Sequence, residues 1–83
     1  MGRIFRNRLR KLLENRIKGK VRVHIYDDTL IIDIESFDSS IAWHYTLTNI
    51  AVQMSVGLST KIVADVILKQ YKTYILSNYF YLK

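Results

Sequence analysis

The segment KVRVHIYDDTLIIDIES (residues 20–36) decides the predicted fold, because its apolar residues alternate with polar ones. A period of two places successive side chains on opposite faces of a β-strand. Two alternating runs joined by a short polar stretch predict an antiparallel hairpin, with Asp28 and Thr29 at its tip. We therefore predict a β-hairpin over residues 20–36.

The hairpin register follows from matching the two faces of the paired strands. We predict that Val23 lies opposite Ile34 on the apolar face, and that Ile25 belongs to the next pair on that face. A slip of one residue would move each apolar set to the wrong face, so the alternation favours this register. The remaining predicted pairs are Ile25 with Ile32, Arg22 with Glu35, His24 with Asp33, and Tyr26 with Ile31.

The twenty residues up to the start of the hairpin, MGRIFRNRLRKLLENRIKGK, carry the excess charge of the chain. They hold eight of the thirteen Lys and Arg residues and one acid, Glu14, whereas the remaining sixty-three residues hold five basic and six acidic side chains. The formal net charge of +6 therefore resides in this segment. Such asymmetry indicates an anionic partner.

The same segment has the apolar spacing of an amphipathic helix. Its apolar residues recur at intervals of three and four, which places them on one stripe of an α-helix with most of the cations opposite. Arg16 lies within the stripe, so its side chain must extend along the apolar surface until the guanidinium reaches solvent, or the packing there is looser. We predict a basic amphipathic helix over residues 1–19, ended by Gly19 in a left-handed conformation. The stripe consists of Phe5, Leu9, Leu12, Leu13 and Ile17.

The C-terminal half predicts two helices over residues 39–82. Asp38, Ser39 or Ser40 can cap a helix over Ile41–Val56, and Gly57 ends it. Ser59 can cap the last helix, which extends to Leu82. The whole chain is then one α+β domain over residues 1–83, of order α-β-β-α-α. In it, an antiparallel hairpin packs with an N-terminal basic helix and a C-terminal helical hairpin.

The last helix is apolar over more than half of its circumference. Such a helix is usually buried on two sides, one of which can meet a second subunit. A chain in which half of the residues are hydrophobic also favours burial against another chain. We therefore predict a homodimer whose interface includes Tyr71, Tyr74, Tyr79 and Phe80.

The stretch VQMSVGLSTKIVADVI (residues 52–67) resembles the helix-turn-helix motif of small DNA-binding regulators. The turn glycine would be Gly57, and Val52, Val56, Val63 and Val66 would be the buried positions. The stretch departs from the motif at Gln53, where a small residue is expected. Its second helix offers few side chains that read base edges. An ordinary helical hairpin explains the same residues.

The sequence offers little for catalysis or metal binding. The chain has no cysteine, and its two histidines, His24 and His44, stand too far apart for a ligand pair. Asp33 and Glu35 share a strand face as in a Mg²⁺-dependent nuclease, but the predicted pairs neutralise both. We expect no enzyme activity, no metal and no cofactor.

Binding of nucleic acid through the basic helix is the leading functional hypothesis. Five of the eight cations are arginines, whose planar guanidinium suits phosphate better than lysine does. Contacts to phosphates would give strong salt dependence and little sequence specificity. The predicted contact residues are Arg3, Arg6, Arg8, Arg10, Lys11 and Lys18.

Three alternatives use the same segment differently. The cations can simply solvate the helix and keep an apolar protein in solution. The helix can lie on an anionic membrane, with Phe5, Leu9, Leu12 and Leu13 entering the headgroup region. It can also bind an acidic protein partner, as in a small accessory or inhibitor protein of bacteria or their phages. We expect no integral membrane span and a cytoplasmic location.

Overall fold

The computed structural model describes residues 3–37, 41–55, 57 and 59–82, with the backbone alone for 55 and 79–82. Within them, the predicted α+β class is confirmed: two helices pack on one face of a three-stranded antiparallel sheet of order β1-β2-β3. The elements are α1 (Arg3–Glu14), β1 (Gly19–Tyr26), β2 (Thr29–Ser36), β3 (Ala42–Leu47), α2 (Ile50–Ser55) and α3 (Thr60–Leu82).

The hairpin is confirmed, but its predicted register is wrong by two residues. Val23 faces Ile32, and Val21 takes the place opposite Ile34. Because side-chain orientation repeats every two residues, this shift leaves every side chain on its predicted face, and alternation alone cannot separate the two registers. The observed pairs on the outer face are Lys20 with Glu35, Arg22 with Asp33, His24 with Ile31, and Tyr26 with Thr29.

The turn decides between the two registers. Tyr26 pairs with Thr29, so the tip consists of Asp27 and Asp28. Asp27 has φ 54°, in the left-handed region that aspartate tolerates better than most residues. The Asp28 carboxylate accepts a hydrogen bond from the backbone N–H of Ala51 at 2.6 Å, which attaches the start of α2 to the tip.

The third strand is the main correction to the predicted order. The first half of the predicted helix Ile41–Val56 forms β3, which pairs antiparallel with β2. Trp43 faces Ile34 and Tyr45 faces Ile32, so β3 extends the apolar face of the hairpin. Only α2 is helical in this region, so the chain does end in two helices, but the first of them is much shorter than predicted. The predicted caps Asp38, Ser39 and Ser40 lie outside the described residues.

The core lies between the sheet and the layer formed by α1 and α3. Alternate apolar side chains of each strand point towards the helices. Each helix packs one stripe of apolar side chains against them. At its start, α3 is capped as predicted, because the Ile62 N–H donates to the Ser59 hydroxyl at 3.3 Å. The core side chains with essentially no exposed surface are Leu9, Leu13, Leu30, Ile32, Ile34, Ile50, Val63 and Ile67.

The first helix ends earlier than predicted, and Gly19 has a different role. Helix α1 stops at Glu14, and Gly19 is the first residue of β1, paired with Ser36. A Cβ atom at Gly19 would lie 2.5 Å from the backbone oxygen of Glu35. The close approach of β1 to β2 therefore requires glycine here, whereas Gly57, with φ 95°, is the glycine in a left-handed conformation.

This difference predicts unequal costs for two glycine substitutions. We expect Gly19→Ala to lower the free energy of unfolding by about 2–3 kcal/mol, because the clash is with backbone that no side-chain rotation relieves. Gly57→Ala should cost about 1 kcal/mol, from left-handed strain alone, since no atom of the described residues lies within 4 Å of its added Cβ. Urea denaturation of both variants measures the difference. Equal costs would show that space at Gly19 is not limiting.

Candidate nucleic-acid interface

Helix α1 separates its apolar and basic residues onto opposite faces. Phe5, Leu9 and Leu13 are buried against the rest of the domain, and Leu12 is partly buried. The cations lie around the remaining surface: Arg8 and Lys11, three residues apart, share one side, whereas Arg6 lies on the other flank of the buried stripe. Four of the six predicted contact residues are exposed on this helix: Arg3, Arg6, Arg8 and Lys11.

The fifth, Arg10, already has a partner. Its guanidinium lies 2.9 Å from the carboxylate of Glu14, one helical turn away, and both side chains are 39% exposed. The i,i+4 spacing of the two residues favours this pair. Since Glu14 is the only acidic residue of α1, no other carboxylate of this helix is available to its exposed cations.

One side of α1 forms a shallow cleft of about 390 Å³. Arg8 and Lys11 supply its charge, Asn7 and Asn15 supply amide groups, and Ile4 and Leu12 supply apolar surface. All six positions follow helical spacing, so they form one continuous stripe. The stripe carries two cations and two hydrogen-bonding amides but no carboxylate, which suits a polyanion.

The sixth predicted contact residue, Lys18, lies away from this surface. Because α1 ends at Glu14, Lys18 belongs to the connection between α1 and β1 and lines clefts with Ile17. Arg16 also leaves the apolar stripe and forms an ion pair with Asp65 of α3 at 3.2 Å. Sequence spacing could not indicate this contact, since the two residues are far apart in the chain.

Two of the four predicted interface aromatics pack inside this chain. Tyr71 is 8% exposed and meets the Trp43 ring edge-to-face, with 5.6 Å between ring centroids. Tyr74 is partly buried and lies 6.4 Å from the same ring. Part of the apolar arc of α3 therefore packs within the chain, whereas Ile62, Val66 and Leu76 of the same helix are exposed. The side chains of Tyr79 and Phe80 lie outside the described ones, and the homodimer stays a prediction.

The stretch that resembles a helix-turn-helix does not show the packing expected of that motif. Val52 is 61% exposed and Val66 is 40% exposed, although the motif would bury both between its helices. Val63 is buried in the domain core, and Val56 lies outside the described residues. The short α2 also offers less than two turns of helix.

The outer face of the sheet carries the side chains first considered for metal or nuclease chemistry. Asp33 contacts His44 on β3, with 2.6 Å between Oδ1 and Nδ1, so the predicted pairing of Asp33 with His24 is wrong. The register explains the change, because β3 places His44 directly opposite Asp33. Across the described residues, no three His, Asp or Glu side chains cluster as a metal site would require.

The membrane-surface alternative loses the apolar residues on which it depended. Phe5, Leu9 and Leu13 belong to the core, so α1 cannot present them to lipid while it remains docked. In addition, none of the helices within the described part of the chain has the length and apolar character needed to cross a bilayer.

Comparison of the chain with protein families, with curated proteins and with solved structures finds no match.

Proposed function

We propose that the protein binds the sugar-phosphate backbone of nucleic acid through the outer face of α1. The observation that supports this most directly is the fixed set of four exposed cations, Arg3, Arg6, Arg8 and Lys11, on a helix whose opposite face is buried. A docked helix holds these charges in place before binding. The partner therefore meets a preformed surface and little ordering of the backbone opposes binding.

Phosphate is the best chemical match for this surface. Three of the four exposed cations are arginines, which donate two parallel hydrogen bonds to phosphate oxygens. The only carboxylate of the helix is held by Arg10. Neutralising several phosphates releases counterions, so affinity should fall steeply as salt rises.

The first test is a double substitution on this face. We expect Arg8→Ala/Lys11→Ala, which removes two cations on the same stripe of α1, to weaken binding of mixed-sequence nucleic acid at least about tenfold at about 50 mM salt, because two charge-assisted contacts are lost. The slope of log affinity against log salt should fall by about 1.4–1.8, in proportion to the two missing contacts. Fluorescence anisotropy with labelled oligonucleotides at several salt concentrations measures both quantities.

The matched control removes the same charge elsewhere. Lys61 and Lys69 are exposed on α3, so Lys61→Ala/Lys69→Ala changes the net charge equally without touching α1. We expect this variant to bind nearly as the unmodified protein does. If both double variants weaken binding equally, overall charge and not the α1 surface is responsible. If the unmodified protein shows no binding at low salt, the proposed function is wrong.

Location and assembly complete the proposal. We place the protein in the cytoplasm, where nucleic acid is accessible and a chain without cysteines has no need of an oxidising compartment. We also keep the homodimer as part of the proposal, because pairing would double the basic surface offered to one polyanion. Light scattering at micromolar concentrations gives the mass, and a single-chain mass would contradict the dimer.

A further inference from the structure

A second basic surface lies where α1 ends and β1 begins, beside an exposed aromatic ring. Phe37 follows β2 and is 72% exposed. It lines a cleft of about 630 Å³ together with Lys18, Gly19 and Lys20. This volume lies within the range of about 300–1,000 Å³ that is typical of small-molecule sites. Glu14 and Ile17 complete the lining.

The backbone on both sides of this cleft is held in place. The Phe37 N–H donates a hydrogen bond to the Lys18 carbonyl oxygen at 3.0 Å, which fixes the start of the Phe37 side chain next to the lysine. Between Lys18 and Lys20, Gly19 pairs with Ser36, and the strands approach so closely there that no side chain fits. The site thus combines the Phe37 ring, whose backbone is hydrogen-bonded to Lys18, with main chain that carries no side chain at Gly19.

The charge of the cleft is positive. Lys18 and Lys20 are both exposed, and among the described residues that line the cleft the one carboxylate, Glu14, is paired with Arg10. An aromatic face beside two exposed ammonium groups matches a ligand that has both a flat ring and a negative charge. A nucleotide has both, since its base stacks on aromatic side chains and its phosphate attracts lysine.

We propose that Phe37 stacks on an unpaired nucleobase while Lys18 and Lys20 contact the adjoining phosphates. The partner is therefore single-stranded nucleic acid. Bases in a duplex are already stacked on one another, whereas a single strand exposes base faces to the protein. This inference rests on the function proposed above. Because Glu14 ends α1 and also lines the cleft, a strand held along the basic face of α1 leads directly to Phe37.

The chain provides a matched control for this ring. Tyr26 is 73% exposed, nearly the same as Phe37, but it lies at the opposite end of β1. Its neighbours at the hairpin tip are Asp27 and Asp28, whose carboxylates repel phosphate. Phe37 and Tyr26 are equally exposed but have neighbours of opposite charge. Comparing them therefore distinguishes a specific stacking site from nonspecific binding by any exposed aromatic ring.

The experiment compares Phe37→Ala with Tyr26→Ala on a thymidine oligonucleotide of about 15 nucleotides and on a duplex of equal length. Circular dichroism first checks that both variants fold. We expect Phe37→Ala to weaken single-strand binding about tenfold and to leave duplex binding unchanged, because one base–aromatic stack is lost. Tyr26→Ala should change neither, and Phe37→Trp should retain the preference for single strands.

The outcomes separate failure of this inference from failure of the proposed function. If the unmodified protein binds neither oligonucleotide, the proposed function fails and this inference fails with it. If Arg8→Ala/Lys11→Ala weakens binding but Phe37→Ala behaves as Tyr26→Ala does, only the stacking site is wrong. Binding to vesicles that contain anionic lipid is measured in parallel. If Phe37→Ala abolishes vesicle binding and leaves oligonucleotide binding intact, the site is a lipid contact and the inference is overturned.

Discussion

Replacement of Leu9 by alanine is expected to lower the free energy of unfolding by about 3–4 kcal/mol. Leu9 has no exposed surface and lies at the centre of the buried stripe of α1, between Phe5 and Leu13. Truncation removes buried methyl groups and leaves a cavity that the rigid sheet beneath cannot fill. A domain of this size has only about 5–10 kcal/mol of stability, so the loss is a large fraction of the total.

The matched control for Leu9→Ala is Ile4→Ala on the same helix. Ile4 is 78% exposed, and alanine favours helix more than isoleucine does, so this change should stay within about 0.5 kcal/mol of the unmodified protein. Urea denaturation followed by circular dichroism gives both values. A small effect of Leu9→Ala would mean that α1 does not dock on the domain. The fixed basic surface proposed for nucleic acid would then be a flexible arm.

The helix α1 could be predicted from sequence because its signal is local. Apolar residues at intervals of three and four define one face, and that face is the one found buried. The hairpin could be predicted for the same kind of reason, since alternation fixes which residues face the core. Its register could not, because alternation is unchanged by a shift of two, and the conformation of Asp27 decides the turn.

The third strand shows the limit of local patterns. Trp43, Leu47, Ile50 and Met54 recur at helical intervals and indicate a helix, while Trp43, Tyr45 and Leu47 also alternate as in a strand. The free edge of β2 resolves the ambiguity, because its unpaired N–H and C=O groups form a ladder with β3. The hydrogen bonds between β2 and β3 can form only after the hairpin has formed, so a local stretch of sequence gives no indication of them.

The candidate site divides in the same way. The cations of α1 were identifiable from sequence, because the face of an amphipathic helix follows from spacing alone. The association of Phe37 with Lys18 was not, since it arises where the end of β2 returns beside the start of β1. Lys20 was missed for the same reason. An aromatic residue next to a predicted loop gave no indication of which cations would surround it.

Replacement of Trp43 by alanine is expected to cost about 3–5 kcal/mol, the largest loss that we predict for a single side chain. Trp43 is 8% exposed and stacks on Tyr45 with 5.1 Å between ring centroids. It also meets Tyr71 edge-to-face and lies beside Tyr74, so β3 is attached to α3 largely through this one ring. Aromatic pairs add about 0.5–1.5 kcal/mol each beyond the area that they bury.

Trp43→Phe provides the graded comparison, because it keeps one ring in contact with both Tyr45 and Tyr71. We expect it to cost about 1–2 kcal/mol, between the alanine variant and the unmodified protein. Unfolding should be followed by far-ultraviolet circular dichroism, since Trp43 is the only tryptophan and its loss removes the fluorescence signal. If Trp43→Ala and Trp43→Phe cost the same small amount, β3 is held by its backbone ladder with β2 and the aromatic cluster does not attach it to α3.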